Sequence, residues 1–171
     1  MLKYRDEKDK SYGIVGMAIA MRVWNADDMY GSVNIDADGF ECVRFAGEYY
    51  YTSAADGISP RSAFHHSVKI FKMMMGLALS NAMCRAMVLE GKQLDAKDSK
   101  ELFDLFSAEG EAQYAITPEE CNAIFKKSYN YLNRLYNYQQ VHSLVKSLSD
   151  ALIEKRELSQ HEIAEFLTII E

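Results

Sequence analysis

The sequence predicts a mostly α (α+β) fold: a helical domain with one small antiparallel sheet inserted after its first helix. Three observations predict it. Apolar residues recur at helical spacing over most of the chain. The period shortens to two between the first helix and Pro60. The only two prolines in 171 residues, Pro60 and Pro118, each stand where a helix begins.

The first helix is expected over residues 9–26. In "YGIVGMAIAMRVW", residues 12–24, Tyr12, Val15, Ala18, Ile19 and Val23 mark one buried face. Two glycines, Gly13 and Gly16, stand inside it, each costing about 1 kcal/mol relative to alanine. The sheet is expected over 31–52. Val33 and Ile35 alternate with polar neighbours, then Phe40, Cys42 or Val43, and Phe45, with "DADG" as the hairpin turn and "AGE" as a second break. Tyr49 to Thr52 would supply a third strand.

The helical remainder covers 60–170. Ser59 caps a helix with Pro60 at its first position, and the pattern then runs to Glu90 as one helix, or two broken near Gly76. Its five methionines fit a core stripe better than a binding groove. Asp95, with Asp98 three residues on, starts a helix from Ala96 to about Phe106, and "SAEGEAQYAIT" reads as a loop. Thr117 with Glu120 and Ser159 with Glu162 are capping boxes, opening helices over 118–137 and 160–170, with another at 139–156 between them. The whole, 1–171, reads as a single domain.

Composition narrows the function. The net charge is −6 and no block of lysines and arginines offsets it, which argues against nucleic acid. The three cysteines, Cys42, Cys84 and Cys121, are widely spaced and form no CxxC pair. They are expected to be reduced and buried, as in the cytoplasm. The charged start "MLKYRDEKDKS" lacks the apolar core of a signal peptide, and the longest apolar run, Ile14 to Ala20, is too short to span a bilayer. A soluble, cytoplasmic protein is expected, with no membrane partner.

Catalytic signatures are sparse. "GIVG" follows no strand and precedes no Lys-Ser or Lys-Thr pair, so it is not a phosphate loop. His65 and His66 point about 100° apart on a helix and cannot clamp a metal together. His142 and His161 read as structural or solvated, and Cys84 has no histidine at helical spacing to activate it. "YNYLNRLYNYQQ" gathers Tyr129, Tyr131, Tyr136 and Tyr138 around Arg134. That mix suits a protein interface, although a helical face of this kind also serves a core.

The order of elements resembles the peptidase domain of the FtsH-type ATP-dependent zinc proteases. The tail "ALIEKRELSQHEIAEFL" is similar to that family's closing helices, "ADDMYGSVNIDADGFECVRF" to its strand pair, and "MGLALSNAM" to its small-residue helix. The resemblance implies a core helix that opens with H-E-x-x-H, in which two histidines bind zinc and the glutamate activates water. Tyr12 would stand for the first histidine, Gly13 for the glutamate and Gly16 for the second histidine. Asp98 would stand for the third ligand, the aspartate after the long helix, although it is also an ordinary residue of a capped helix.

The resemblance therefore implies a site without its base and with one ligand of three, incompatible with a zinc hydroxide. The two glycines would be relics of lost side chains, places of close helix approach, or both. No cofactor and no metal are expected, and a chain without an ATPase module is not expected to unfold substrates. The leading expectation is a non-catalytic, peptidase-like module for protein binding or assembly, through a protein partner or self-association. The alternatives are an enzyme of another class, with a pocket near Tyr12, His65, His66, Asp98 and Glu101, or a helical adaptor of different ancestry.

Overall fold

The computed structural model describes residues 3–50 and 60–169. Among these, six α-helices and one three-stranded antiparallel sheet make a mostly helical fold. The helices are α1 (Glu7–Val23), α2 (Pro60–Met83), α3 (Ala96–Tyr114), α4 (Pro118–Leu135), α5 (Gln139–Lys155) and α6 (Gln160–Phe166). The strands are β1 (Tyr30–Asn34), β2 (Val43–Phe45) and β3 (Glu157–Ser159). Buried side chains from all nine elements join one hydrophobic cluster.

At the centre lies α1, buried without a break from Ser11 to Met21. A helix this apolar on every side belongs inside a core, and α2 and α5 pack against it. It starts two residues earlier than the sequence predicts, because Asp6 accepts a hydrogen bond from the Asp9 amide at 2.8 Å. It stops at Val23 rather than residue 26, since Asn25 adopts a left-handed φ of 50°.

In the sheet the strand order is β2-β1-β3. Val33 pairs with Val43 on one side and Leu158 on the other, and this apolar row is buried. The expected boundaries, 31–52, are corrected in two ways. Phe40 and Cys42 lie in a 3-10 turn (Gly39–Cys42), which shortens β2. Of the third strand expected at Tyr49 to Thr52, Tyr49 belongs to another 3-10 turn, and residues 51 and 52 fall outside the described residues. Glu157–Ser159, expected as part of the helical tail, pairs with β1 instead. Arg156, at a φ of 68°, ends α5 and turns the chain into that strand.

The long helix α2 starts at Pro60 as expected, while its expected cap, Ser59, lies outside the described residues. Gly76 does not break it. A Cβ there would sit 3.2 Å from two carbons of the Trp24 indole, so the missing side chain makes room for that ring. The helix then widens into a π-helical turn, Cys84–Leu89. The expected loop after Phe106 is also corrected: α3 continues to Tyr114, with Gly110 beneath the Phe71 ring, and ends at Ala115 in the left-handed region. Both capping boxes form, at Thr117 with Glu120 and at Ser159 with Glu162, and Asp95 caps α3 through the Lys97 amide.

Candidate functional site

The stretch expected to hold a vacated metal site is a tightly closed seam. A Cβ on Gly16 would fall 2.5 Å from the Ser80 carbonyl oxygen and 2.8 Å from the Cys84 Cβ. The backbone of α2 therefore occupies the space a side chain at Gly16 would need. Ser80 Oγ donates to the Gly16 carbonyl at 2.6 Å and accepts from the Tyr136 hydroxyl at 2.6 Å, which ties α1, α2 and the end of α4 together. Burial pushes the Tyr136 hydroxyl and the Cys84 thiol upward, so both stay protonated at neutral pH. Gly13 meets a softer neighbour. Its Cβ would lie 2.6 Å from Asn81 Nδ2 and 2.9 Å from the Tyr4 ring. Tyr12 is buried beside them, and burial raises its hydroxyl as well.

One turn before Tyr12, Asp9 is fully buried. Arg85, carried by the π-helical turn, donates to it twice, from Nε at 2.8 Å and Nη2 at 2.6 Å. The Arg5 amide adds a third bond at 3.0 Å. Burial alone would raise the Asp9 carboxyl, but these donors hold it at about 2. The Arg85 guanidinium also lies over the Tyr4 ring, 5.0 Å from its centroid. This arrangement locks the N-terminal residues onto the core, and every charge in it is paired.

Asp98 borders that seam from α3. It is exposed on the first turn of α3 and borders a cleft of about 400 Å³ with Lys3, Asn81, Arg85, Glu101 and Leu105. The buried Asn81 Oδ1 has no hydrogen-bond partner. His65 borders a different cavity of about 280 Å³ with Trp24, Lys69 and Lys72, and the buried His66 Nε2 has no partner. Asp98 and Glu101 thus share one cleft and His65 borders another, and among the described residues no three His, Cys, Asp or Glu side chains form a group that could hold a metal ion.

The tyrosine cluster divides. Tyr136 is 1% exposed and belongs to the core, which corrects its expected place at an interface. Tyr129 is half-buried and borders a groove between α3 and α4. Tyr138 is exposed at the start of α5. Tyr131 and Arg134 line a cleft of about 580 Å³. Its other walls are Val23 at the end of α1, Trp24 and Asn25 just after it, Lys72 on α2, and Ala123, Ile124, Lys127 and Ser128 on α4. The Trp24 and Tyr131 rings meet edge to face, with centroids 6.4 Å apart.

That cleft carries one sign of charge. Lys72, Lys127 and Arg134 line it and, among the described residues, no aspartate or glutamate does. The sequence reading missed Trp24, Lys72 and Lys127. Part of the signal was available: Lys127, Tyr131 and Arg134 stand at i, i+4 and i+7 on one helix. The meeting of that stripe with Trp24 depends on three-dimensional packing. No family model, no curated protein and no solved structure matches the chain, and no helix among the described residues is long and apolar enough to cross a membrane.

Proposed function

We propose that this protein is a non-catalytic binding module that engages a protein partner, or a second copy of itself, through the α4 face around Trp24, Tyr131 and Arg134. One observation carries the reading. The cleft combines a half-buried tryptophan, a tyrosine that is 43% exposed and three cations facing no carboxylate in its lining. Tyrosine, tryptophan and arginine supply most of the binding energy at protein interfaces.

The likeness to FtsH-type peptidases enters this proposal as a degenerate relationship. The element order supports it, running from an apolar helix through a small sheet and a long helix to a helix capped by Asp95. The chemistry of the matched positions supports the loss of hydrolysis. Gly13 and Gly16 offer no donor atoms, and Tyr12 is a buried phenol. An exposed Asp98 alone is a weak oxygen ligand for zinc.

Elemental analysis after dialysis against a weak chelator, together with a casein-hydrolysis assay, tests the non-catalytic part. Substoichiometric zinc and no hydrolysis are expected. One zinc per chain, lost together with hydrolysis in Asp98→Ala, would overturn the reading in favour of an enzyme.

A further inference from the structure

The chemistry of the Trp24 cleft specifies its occupant further, on the reading that this face is a docking surface. Three features of the lining decide it: the spacing of its cations, the place of its apolar wall and the sign of the charge around it.

The cations are strung out along the cleft. Lys127, Tyr131 and Arg134 occupy successive turns of one face of α4, so the two charges are separated by about 10 Å along the helix axis. Lys72 faces them from α2, and Lys69 and His65 continue the exposed basic edge beyond Trp24. A single phosphate or carboxylate bound tightly would need donors converging on one point. A row of carboxylates spaced along a peptide matches a row of separated cations.

The apolar wall lies between those charges. Val23, Ile124, Trp24 and Tyr131 form a surface for a side chain as large as phenylalanine or leucine. Trp24 is fixed there because its indole lies over Gly76, leaving its outer edge toward the cleft. The protein as a whole carries a net charge of −6, so a basic cleft is a local reversal of its field. Acidic ligands would be drawn to that cleft and repelled by much of the remaining surface.

We propose that the Trp24 cleft binds an acidic peptide segment of a partner protein, with carboxylates along Lys72, Lys127 and Arg134 and an apolar side chain between Trp24 and Tyr131. Charge complementarity favours this occupant over a second copy, whose overall charge is of the same sign as the surface surrounding the cleft. It also excludes nucleic acid as the first choice, since an acidic protein would repel a long polyanion outside the cleft.

Trp24 is the only tryptophan in the chain, so its fluorescence reports on this cleft and the adjoining His65 cavity, and the α4 substitutions below tell the two apart. The probe is a capped nonapeptide of glutamates flanking a central Phe-Leu pair, titrated at low salt. Saturable change in Trp24 emission is expected, weakened by added salt. Lys127→Gln and Arg134→Gln should each reduce affinity about fivefold, which is about 1 kcal/mol. Both residues are exposed, and circular dichroism checks that the variants remain folded.

A peptide with every glutamate replaced by glutamine separates the two proposals. If it binds as well as the acidic one, the acidic-segment inference fails and the docking reading stands. Emission that changes with protein concentration alone would give the cleft to a second copy. Tighter binding of an oligothymidylate of matched charge would give it to nucleic acid. Either result overturns the acidic-peptide assignment. If none of these moves Trp24, both the inference and the docking surface fall.

Discussion

The two halves of α2 face opposite tasks. Its C-terminal half, from Met75 to Met83, is almost wholly buried against α1, where the backbones meet at Gly16 and a Cβ has no space. Its N-terminal half carries His65, Lys69 and Lys72 on an exposed edge, where the cleft between α2 and α4 stays open. Both halves belong to one continuous helix, and they differ in the side chains they carry. Small residues let the backbones close the seam, while long cations line the cleft. The comparison separates what builds this protein from what is left over for binding.

Substitutions at the seam should be costly and those at the cleft nearly silent in stability. The largest effect is expected from Arg85→Met, which leaves the Asp9 carboxylate buried without its main partner. Such breakage costs about 4 kcal/mol, measured by urea denaturation. The same pair has a pH signature. The Asp9 carboxyl is held below its ordinary value, at about 2. Its stabilisation is therefore fully present above about pH 4 and is lost as pH falls through about 2. That acid-side loss should shrink in Arg85→Met, and an unchanged profile would show that Asp9 contributes nothing to folding.

Gly16→His tests whether the seam is packed or vacant. A side chain directed at the Ser80 carbonyl should cost about 3 kcal/mol, a fall in Tm of about 10 °C for a chain of this length. A neutral or stabilising result would mean that the metal-site position is open after all. Tyr136→Phe should cost about 1 kcal/mol, since it removes the hydroxyl that donates to Ser80 and leaves the ring in place. At the cleft, Lys127→Gln and Arg134→Gln should each stay within about 0.5 kcal/mol of the parent. A large loss there would make those cations structural and erase the contrast between the two halves.

Local chemistry was legible in the sequence, and long-range pairing was not. The boxes at Thr117 with Glu120 and Ser159 with Glu162 could be read because a cap and its partner lie within one turn. The helical character of α1 was legible for the same reason, as were the β1 strand and the turn after it. Gly13, Gly16 and Gly76 announced themselves only as glycines. Which groups they admit, Asn81, the Ser80 carbonyl and the Trp24 ring, depends on residues up to 68 positions away. Gly76 misled as a break because its cause is a ring from another element.

The candidate site was half readable. Tyr131 and Arg134 were selected by their residue types, but so was Tyr136, which shares their helix and turns into the core one residue past its end. Periodicity could have placed it: Tyr136 keeps helical backbone and follows Leu132 by four residues, in line with the buried stripe of Cys121, Phe125, Ser128 and Leu132. Trp24 and Lys72 were missed because neither belongs to the tyrosine cluster in sequence. They reach the cleft from α1 and α2.

The third strand sets the order in which the molecule can be finished. Ser32 pairs with Ser159, so one edge of β1 waits for residues more than a hundred positions further along the chain. During synthesis, β1 can meet β2 almost at once, but its other edge is an open row of amides and carbonyls until α5 is complete and Arg156 turns the chain back. An unsealed edge is the part of a young chain most able to pair with a neighbour. A strand made only after α5 is therefore the one that closes a sheet begun before α2.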